Sequence, residues 1–424
     1  MPEKSRIAGS RVCIIGLGYV GLPLARAFAR SFKVTGFDID QQKVTTLAAH
    51  DKNQNLSFTS SAEDIAQADF NIICVPTPVD IMKNPDLTAI KDAARIIGKN
   101  MKKGSVTILE STVYPGVTEE IVQPILEKES GMICGKDFYT GYSPERINPG
   151  DDEHSVERVT KVVSGMDEKT TDLVAELYLN VTPKVFKARN IKTAEAAKIS
   201  ENIQRDLNIA LANELAVIFS KIGINTADVF EAAATKWNYQ RYKPGMVGGY
   251  CIPVVPYYLV QKSRELGYNP EIIVSGRRVN NAMPQYIASW TLEALKNSKK
   301  SVKKNRVLIM GLTYKENVAE SRESPVLDLI KELKKAGTEV IAHDPMLNEG
   351  VISEVFGVKA ALKLDELEQN RVDAVIITVP HAAFTKLELK VLKEIQTEPP
   401  VLVDIPGIFR DKKPEVSGFS YKIL

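Results

Sequence analysis

Arg11-Val12-Cys13-Ile14-Ile15-Gly16-Leu17-Gly18-Tyr19-Val20-Gly21 joins a buried-strand run to a glycine-rich turn. Leu22 to Ser31 continues with helical character, and Lys33-Val34-Thr35-Gly36-Phe37 reads as a second strand. Strand, tight turn, helix and strand make a βαβ unit. Glycines in that turn let the backbone approach a pyrophosphate at the head of the helix. Asp38 follows Gly16 by 22 residues, where a carboxylate accepts hydrogen bonds from both hydroxyls of an adenosine ribose. The glycine triplet alone is a weak signal, and the flanking strand, helix and carboxylate make it a strong one. The expected cofactor is therefore NAD rather than NADP. The alternative, a ligand-free turn with Asp38 capping a loop, has this context against it.

Outward from that unit, apolar strand runs recur at Phe70-Asn71-Ile72-Ile73-Cys74-Val75 and Ser105-Val106-Thr107-Ile108-Leu109, with helical segments such as Leu87 to Met101 between them. The first domain reads as a doubly wound sheet. From about Thr193 to Ile222 the pattern becomes one long amphipathic helix, followed by helical segments at Thr226 to Ala234, Tyr257 to Leu266 and Pro284 to Lys296. The basic stretch Lys296 to Asn305 reads as a solvated linker. Beyond it, Arg306 to Gly311, a helix near Pro325 to Ala336, the strand Glu339 to Ala342 and the run Ala374 to Val379 repeat the strand–helix alternation. The expected fold is α/β: two Rossmann-like doubly wound domains, 1–192 and 299–424, joined by an all-helical domain at 193–298.

A chain of 424 residues is too long for one typical core and suggests roughly two or three units. Hydrophobic content of 44%, charged content of 25% and a net charge of +2 fit a soluble protein and exclude the basic excess of a nucleic-acid binder. Cys13, Cys74, Cys134 and Cys251 are too few and too dispersed for a disulfide framework or clustered metal ligands. A reducing cytoplasm is the expected home, with no metal and no membrane anchor. The apolar stretch Val12 to Leu24 is punctuated by Gly16, Gly18, Gly21 and Pro23, unlike a signal sequence.

Cys251 lies in Gly248-Gly249-Tyr250-Cys251-Ile252-Pro253, where paired glycines remove side-chain bulk and Pro256 suits the first turn of a following helix. Cys13 and Cys74 sit in apolar strand runs and Cys134 precedes Gly135, so Cys251 is the credible nucleophile of the four. A lone cysteine is as readily a small buried hydrophobe, and composition does not settle the matter. A thiol beside a hydride acceptor would permit two successive oxidations, alcohol to aldehyde and then thiohemiacetal to thioester. On the long helix, Lys198, Asn202, Arg205 and Ile209 fall at i, i+4, i+7 and i+11, so Lys198 and Asn202 project one turn apart. They read either as an oxyanion-holding pair or as a solvated stripe.

Longer motifs add a resemblance. The glycine turn, Val75-Pro76-Thr77-Pro78, Glu110 to Gly116, Tyr142 to Gly150 and Glu201 to Leu211 resemble the UDP-sugar 6-dehydrogenases of the UDP-glucose/GDP-mannose dehydrogenase family. Thr235 to Tyr239 and Gly311 to Asn317 look most like the branch acting on UDP-N-acetylglucosamine or UDP-N-acetylgalactosamine. That likeness implies oxidation of a UDP-N-acetylhexosamine at C6 by two NAD+, giving a uronate for polysaccharide synthesis, in a homodimer built through the middle helices. It implies Cys251 as nucleophile, Lys198 and Asn202 as the oxyanion pair, and Glu145 and Thr112 as groups handling protons and water. It places Gly16, Gly18, Tyr19, Val20, Gly21, Asp38, Lys43, Pro76, Thr77, Thr112 and Arg322 on the cofactor. On the sugar nucleotide it places Glu145, Arg146, Lys198, Asn202, Arg205, Arg241, Gly248 and Lys315, with Lys236 also near the substrate.

Two departures matter. The family's loop carries an aspartate four residues after the cysteine, where this chain has Val255, and a lost acid or base costs on the order of a hundredfold to ten-thousandfold. Glu320 replaces another aspartate but keeps the carboxylate, and Tyr250 stands at a variable place. Two functions follow: an active double dehydrogenase, or a nucleotide-sugar- and NAD-binding homologue that is silent or stalls as an acyl-enzyme. Retention of Cys251, Lys198, Asn202 and Glu145 favours the first. Single oxidation of a β-hydroxy acid would leave Cys251 and the C-terminal domain unused.

Overall fold

In a computed structural model of the protein, residues 7–80, 82–146, 155–300 and 304–424 are described. Ile147 to Gly150, the end of one motif above, and Ser301 to Lys303 of the basic stretch lie outside them. The chain forms two compact units, Met1–Asn202 with Tyr257–Asn269, and Ile203–Pro256 with Pro270–Leu424.

In the first unit, β1 (Arg11–Ile15) and β2 (Lys33–Phe37) match the two strand runs, and α1 (Gly21–Phe28) lies between them. α2 (Gln41–His50) is started by Asp40, whose carboxylate accepts from the N–H groups of Gln42 and Lys43. β3 (Leu56–Thr59), β4 (Phe70–Ile73), α3 (Thr88–Asn100), β5 (Val106–Leu109) and α4 (Gln123–Ser130) continue the alternation. β6 (Tyr139–Tyr142), β7 (Thr160–Gly165), α5 (Glu168–Tyr178) and β8 (Lys184–Lys187) complete an eight-stranded sheet in the order β3-β2-β1-β4-β5-β6-β7-β8. All neighbours run parallel except β6 and β7. The order reverses between β1 and β4, and sheets of this kind bind ligands in the crevice beyond the carboxyl ends of the strands at that switch. The glycine turn leaves β1 there, Val75 to Pro78 leaves β4, Glu110 to Gly116 leaves β5, and Ser143 to Arg146 leaves β6. Four separate motifs are thereby gathered at the ends of four adjacent strands.

α6 (Ile191–Ile222) is a single helix of 32 residues, followed by α7 (Thr226–Ala233), α8 (Val255–Glu265) and α9 (Glu271–Asn297). α9 corrects the sequence reading, which began it at Pro284, because Pro284 lies inside the helix. An internal proline costs about 3 kcal/mol. Burial of Met283, Ile287, Trp290 and Leu295 in one apolar cluster with Leu329 and Leu333, at roughly 1.5–3 kcal/mol for each large side chain, outweighs it.

The second unit's sheet contains β9 (Arg306–Met310), β10 (Glu339–His343), β11 (Lys359–Ala360), β12 (Val372–Ile377), β13 (Gln396–Asp404) and β14 (Ser420–Ile423), in the parallel order β11-β10-β9-β12-β13-β14. Its helices are α10 (Val326–Lys335), α11 (Glu349–Phe356), α12 (Ala382–Thr385) and α13 (Leu389–Glu394). The period of two along a strand divides the core. Val307, Ile309, Ala374 and Ile376 enter the cluster holding α9 and α10, while Leu308, Met310, Val375 and Ile377 pack with Phe384, Leu392 and Phe409. The basic stretch is more than a linker, since half-buried Lys300 donates to the carbonyls of Asp373 and Thr397 and to the Thr397 hydroxyl, each at 2.8 Å. Three ammonium donors meet three acceptors.

Candidate active site

The glycines after β1 have different duties. Gly16 adopts φ 95°, and a Cβ there would lie 2.8 Å from the Cys74 carbonyl oxygen; at Gly21 it would lie 1.9 Å from that of Gly16. At Gly18 nothing lies within 4 Å of the same position. The outer two are needed for packing, and the middle one keeps open the place where a pyrophosphate approaches. Asp38 is buried; its Oδ2 accepts from Leu17 N–H and Lys43 Nζ, both at 2.9 Å, and its Oδ1 from Asp40 N–H at 3.0 Å. Burial pushes its pKa up, but the bonds from Asp40, Lys43 and Leu17 outweigh burial and hold it below the ordinary value. A carboxylate has about four acceptor sites, so a ribose hydroxyl finds one, and a second opens if the partly exposed Lys43 swings aside. A 2′-phosphate would meet this carboxylate, and like charges brought together cost several kcal/mol. NAD+ is expected to bind at least about a hundredfold more tightly than NADP+ by fluorescence titration. Asp38→Ala should narrow the ratio, and equal affinities for the unaltered protein would defeat the assignment.

The neighbouring loops are pinned from behind. Tyr258 of α8 donates to the Thr77 carbonyl at 2.5 Å, fixing Pro76 and Thr77, and the Ser111 hydroxyl donates to that of Val75 at 2.7 Å. Glu195 of α6 accepts from Gly116 N–H at 2.6 Å, Thr118 N–H at 3.0 Å and the Thr118 hydroxyl at 2.7 Å, tethering the loop that carries Thr112. Burial drives the Glu195 pKa up to about 7 against those bonds. After β6, Lys198 Nζ donates to the Glu145 carbonyl at 2.5 Å, while Arg146 donates to the Thr160 carbonyl and pairs with Glu201.

Lys198 and Asn202 are 8% and 4% exposed, which rules out the solvated stripe. Arg205, three residues on, is exposed. The Asn202 Nδ2 group is buried without a hydrogen-bond partner. An orphaned amide costs roughly 1–3 kcal/mol, which makes Asn202 a donor awaiting an acceptor.

In the second unit, the Cys251 loop meets the Gly311 to Asn317 motif. A Cβ on Gly248 would lie 2.8 Å from Tyr314 Cβ, and one on Gly249, at φ 78°, 2.8 Å from the Tyr314 ring. The glycine pair thus makes room for Tyr314, a cause the sequence did not reveal. Cys251 is exposed, whereas Cys13 and Cys74 are buried and Cys134 is half-buried. Burial raises the Cys13 thiol to about 12 and pushes those of Cys74 and Cys134 upward too. Val255 is buried as the first residue of α8, with Pro256 in its first turn as expected. Arg322 lies over the Tyr250 ring at 5.5 Å and pairs with Glu320 at 2.8 Å. Asp344 accepts from Leu312 N–H at 2.6 Å and Thr313 N–H at 3.2 Å, and its Oδ2 lies 3.2 Å from His381 Nε2. His381 Nδ1 accepts from Asn317 N–H at 3.0 Å, so Nε2 carries the proton and donates to Asp344. That network shapes the loop bearing Lys315. Lys236 and Arg241 are exposed.

Comparison with known proteins agrees over nearly the whole chain. The family's NAD binding domain matches residues 10–53 and 45–182, its central domain 192–282 and its UDP binding domain 308–411. The chain belongs to the UDP-glucose/GDP-mannose dehydrogenase family. It is an NAD-dependent UDP-sugar dehydrogenase. Protein CapL of Staphylococcus aureus is 44% identical over 96% of this chain and 98% of its own length. The UDP-N-acetyl-D-glucosamine 6-dehydrogenase of Pseudomonas aeruginosa is 42% identical over 96% and 99%. Among solved structures, the UDP-D-ManNAc dehydrogenase of Pyrococcus horikoshii superposes with a TM-score of 0.87 at 30% identity, over 97% of this chain and 98% of that one. Among the described residues of this dehydrogenase no helix is long and apolar enough to cross a membrane, and no His, Cys, Asp and Glu cluster could hold a metal. Sequence reasoning missed Glu195, Tyr258 and His381, which hold loops rather than face them. Lys161, a charge beside Val162 and Val163 in β7, is a visible signal of a further buried polar group.

Proposed function

We propose that the chain oxidises C6 of a UDP-N-acetylhexosamine twice, alcohol to carboxylate, through a covalent intermediate on Cys251. The exposed thiol in a glycine loop seated on Tyr314 carries this reading, and the relatives named for UDP-N-acetylhexosamines support the substrate class. Bound NAD+ supplies the hydride acceptor for each oxidation. In the first, Glu145 or its water takes the hydroxyl proton as C6 gives up hydride. The Cys251 thiolate then adds to the aldehyde, forming a C–S bond and an oxyanion that Lys198 and Asn202 stabilise. Loss of a second hydride leaves a thioester. Water positioned by Glu145 and Thr112 adds to it, the C–S bond breaks, and Cys251 leaves as thiolate from the carboxylate. Gly16 to Gly21, Asp38, Lys43, Pro76, Thr77 and Arg322 hold the dinucleotide; Arg146, Arg205, Arg241, Gly248 and Lys315 hold the sugar nucleotide. The NAD-binding, central and UDP-binding parts correspond to 1–192, 193–298 and 299–424, and the enzyme works as a cytoplasmic homodimer. Two NADH per UDP-N-acetylhexosamine consumed, with the uronate identified by mass spectrometry, is the expected result; one NADH per sugar would refute the double oxidation.

The stalled reading retains one specific support, because Val255 is buried and offers no carboxylate at the head of α8. A helix N-terminus favours an anion by about 0.3–1 kcal/mol, while burial opposes one. Val255→Asp is expected to raise turnover by about tenfold or more if hydrolysis limits the rate. Rapid-quench measurement of the thioester checks this, and unchanged kinetics would show that position 255 does not limit the enzyme.

A further inference from the structure

We propose that Lys161 is a positioning residue that aims Glu145, an inference resting on the twofold oxidation read above. Lys161 and Glu110 are each 1% exposed and form an ion pair beneath the site. Lys161 Nζ also donates to the Pro144 carbonyl at 2.7 Å. Tyr178 donates to the other Glu110 oxygen at 2.5 Å, and the ammonium lies 5.1 Å from the centre of its ring. Glu110 follows β5, Pro144 follows β6 and Lys161 lies within β7, so the cluster ties three strands at the end where Glu145 emerges.

Simple stabilisation does not account for such a pair. Buried ion pairs are often no better than apolar residues of the same volume. What an apolar pair cannot provide is a donor for Pro144. Pro144 is buried and lies past the end of β6, so its carbonyl is outside that ladder, and a buried carbonyl without a partner is costly. Lys161 supplies that donor one residue before Glu145, Lys198 supplies the next at the Glu145 carbonyl, and Arg146 is held at the Thr160 carbonyl. Three successive residues are thereby clamped, and the middle one bears the carboxylate assigned to proton and water handling. Glu110 is the counter-charge of Lys161; without Lys161 it would be a buried carboxylate with no cation beside it. The cluster acts through the backbone and touches neither substrate nor cofactor.

The test compares two charge-balanced double variants of the full-length enzyme, Lys161→Met with Glu110→Gln, and Lys161→Gln with Glu110→Gln. In the first no donor reaches Pro144; in the second a glutamine amide can. A displacement of about 1 Å costs on the order of a hundredfold in rate, so the Met/Gln enzyme is expected to lose about that much kcat. Its KM and NAD+ affinity should stay within about threefold and its Tm near that of the parent. The Gln/Gln enzyme should recover at least about tenfold of the loss. Amide hydrogen exchange in a peptide covering residues 142–146 should quicken about tenfold in Met/Gln alone. Parental kcat or unchanged exchange in Met/Gln would overturn the assignment, as would equal losses in both doubles that follow their Tm. If the parent makes no NADH from a UDP-N-acetylhexosamine, the functional reading fails by itself, because the exchange comparison needs no substrate.

Discussion

Cys251→Ser is expected to cut uronate formation at least about a thousandfold, the scale seen when a nucleophile is removed from a covalent mechanism. A serine hydroxyl needs an adjacent base to attack a carbonyl, and no histidine occurs in the loop from Gly248 to Pro256. The described histidines are engaged elsewhere: His50 and His343 bond the carbonyls of Thr46 and Ala361, and His381 bonds Asp344. The first oxidation makes no use of sulfur, so the variant should yield at most one NADH per sugar and an aldehyde that carbonyl reagents trap. Because Cys251 is exposed and lies outside the apolar clusters, the Tm should not change. Full carboxylate output from Cys251→Ser, measured by mass spectrometry, would remove the covalent step from the mechanism.

The architecture was legible where residue pattern and backbone period coincide. β1 and β2 keep the bounds read from sequence, and Val12 to Ile15 of β1 is the continuous apolar run that a parallel strand buried on both faces needs. The long α6 was legible from its repeat. The start of α9 was not, because local proline chemistry and burial compete there and only the packed cluster decides. β7 was obscured by Lys161, a charge in a strand core that becomes intelligible only once Glu110 and Pro144 lie beside it. The site divides in the same way. Residues proposed to face ligand belong to contiguous motifs with a recognisable order, and the sequence alone suffices to propose them. Residues that hold the motifs in place, Glu195, Tyr258, His381 and Lys161, are distant in sequence from what they hold, and no spacing rule links them.

Asn202 separates stability from catalysis in a way few site residues can. Lys198→Met would release the Glu145 carbonyl as well as removing a cation, so its loss of activity would be ambiguous. Asn202 has no such second duty at its Nδ2, which is buried and unpartnered. Replacing it with leucine, which has the same number of side-chain heavy atoms and the same branch point, removes an amide whose isolation costs roughly 1–3 kcal/mol. The folded protein should therefore gain stability or stay unchanged, with a Tm equal to or above the parent's. Activity should move the other way, since losing one preorganised donor to a developing oxyanion typically costs about 10²–10³ in kcat. The loss should fall on kcat rather than on KM, because the donor is matched to an oxyanion absent from the ground-state alcohol. Steady-state kinetics beside thermal unfolding give both numbers from one preparation. A variant that loses Tm and retains kcat would show the amide to be a packing residue, and the oxyanion would then rest on Lys198 alone.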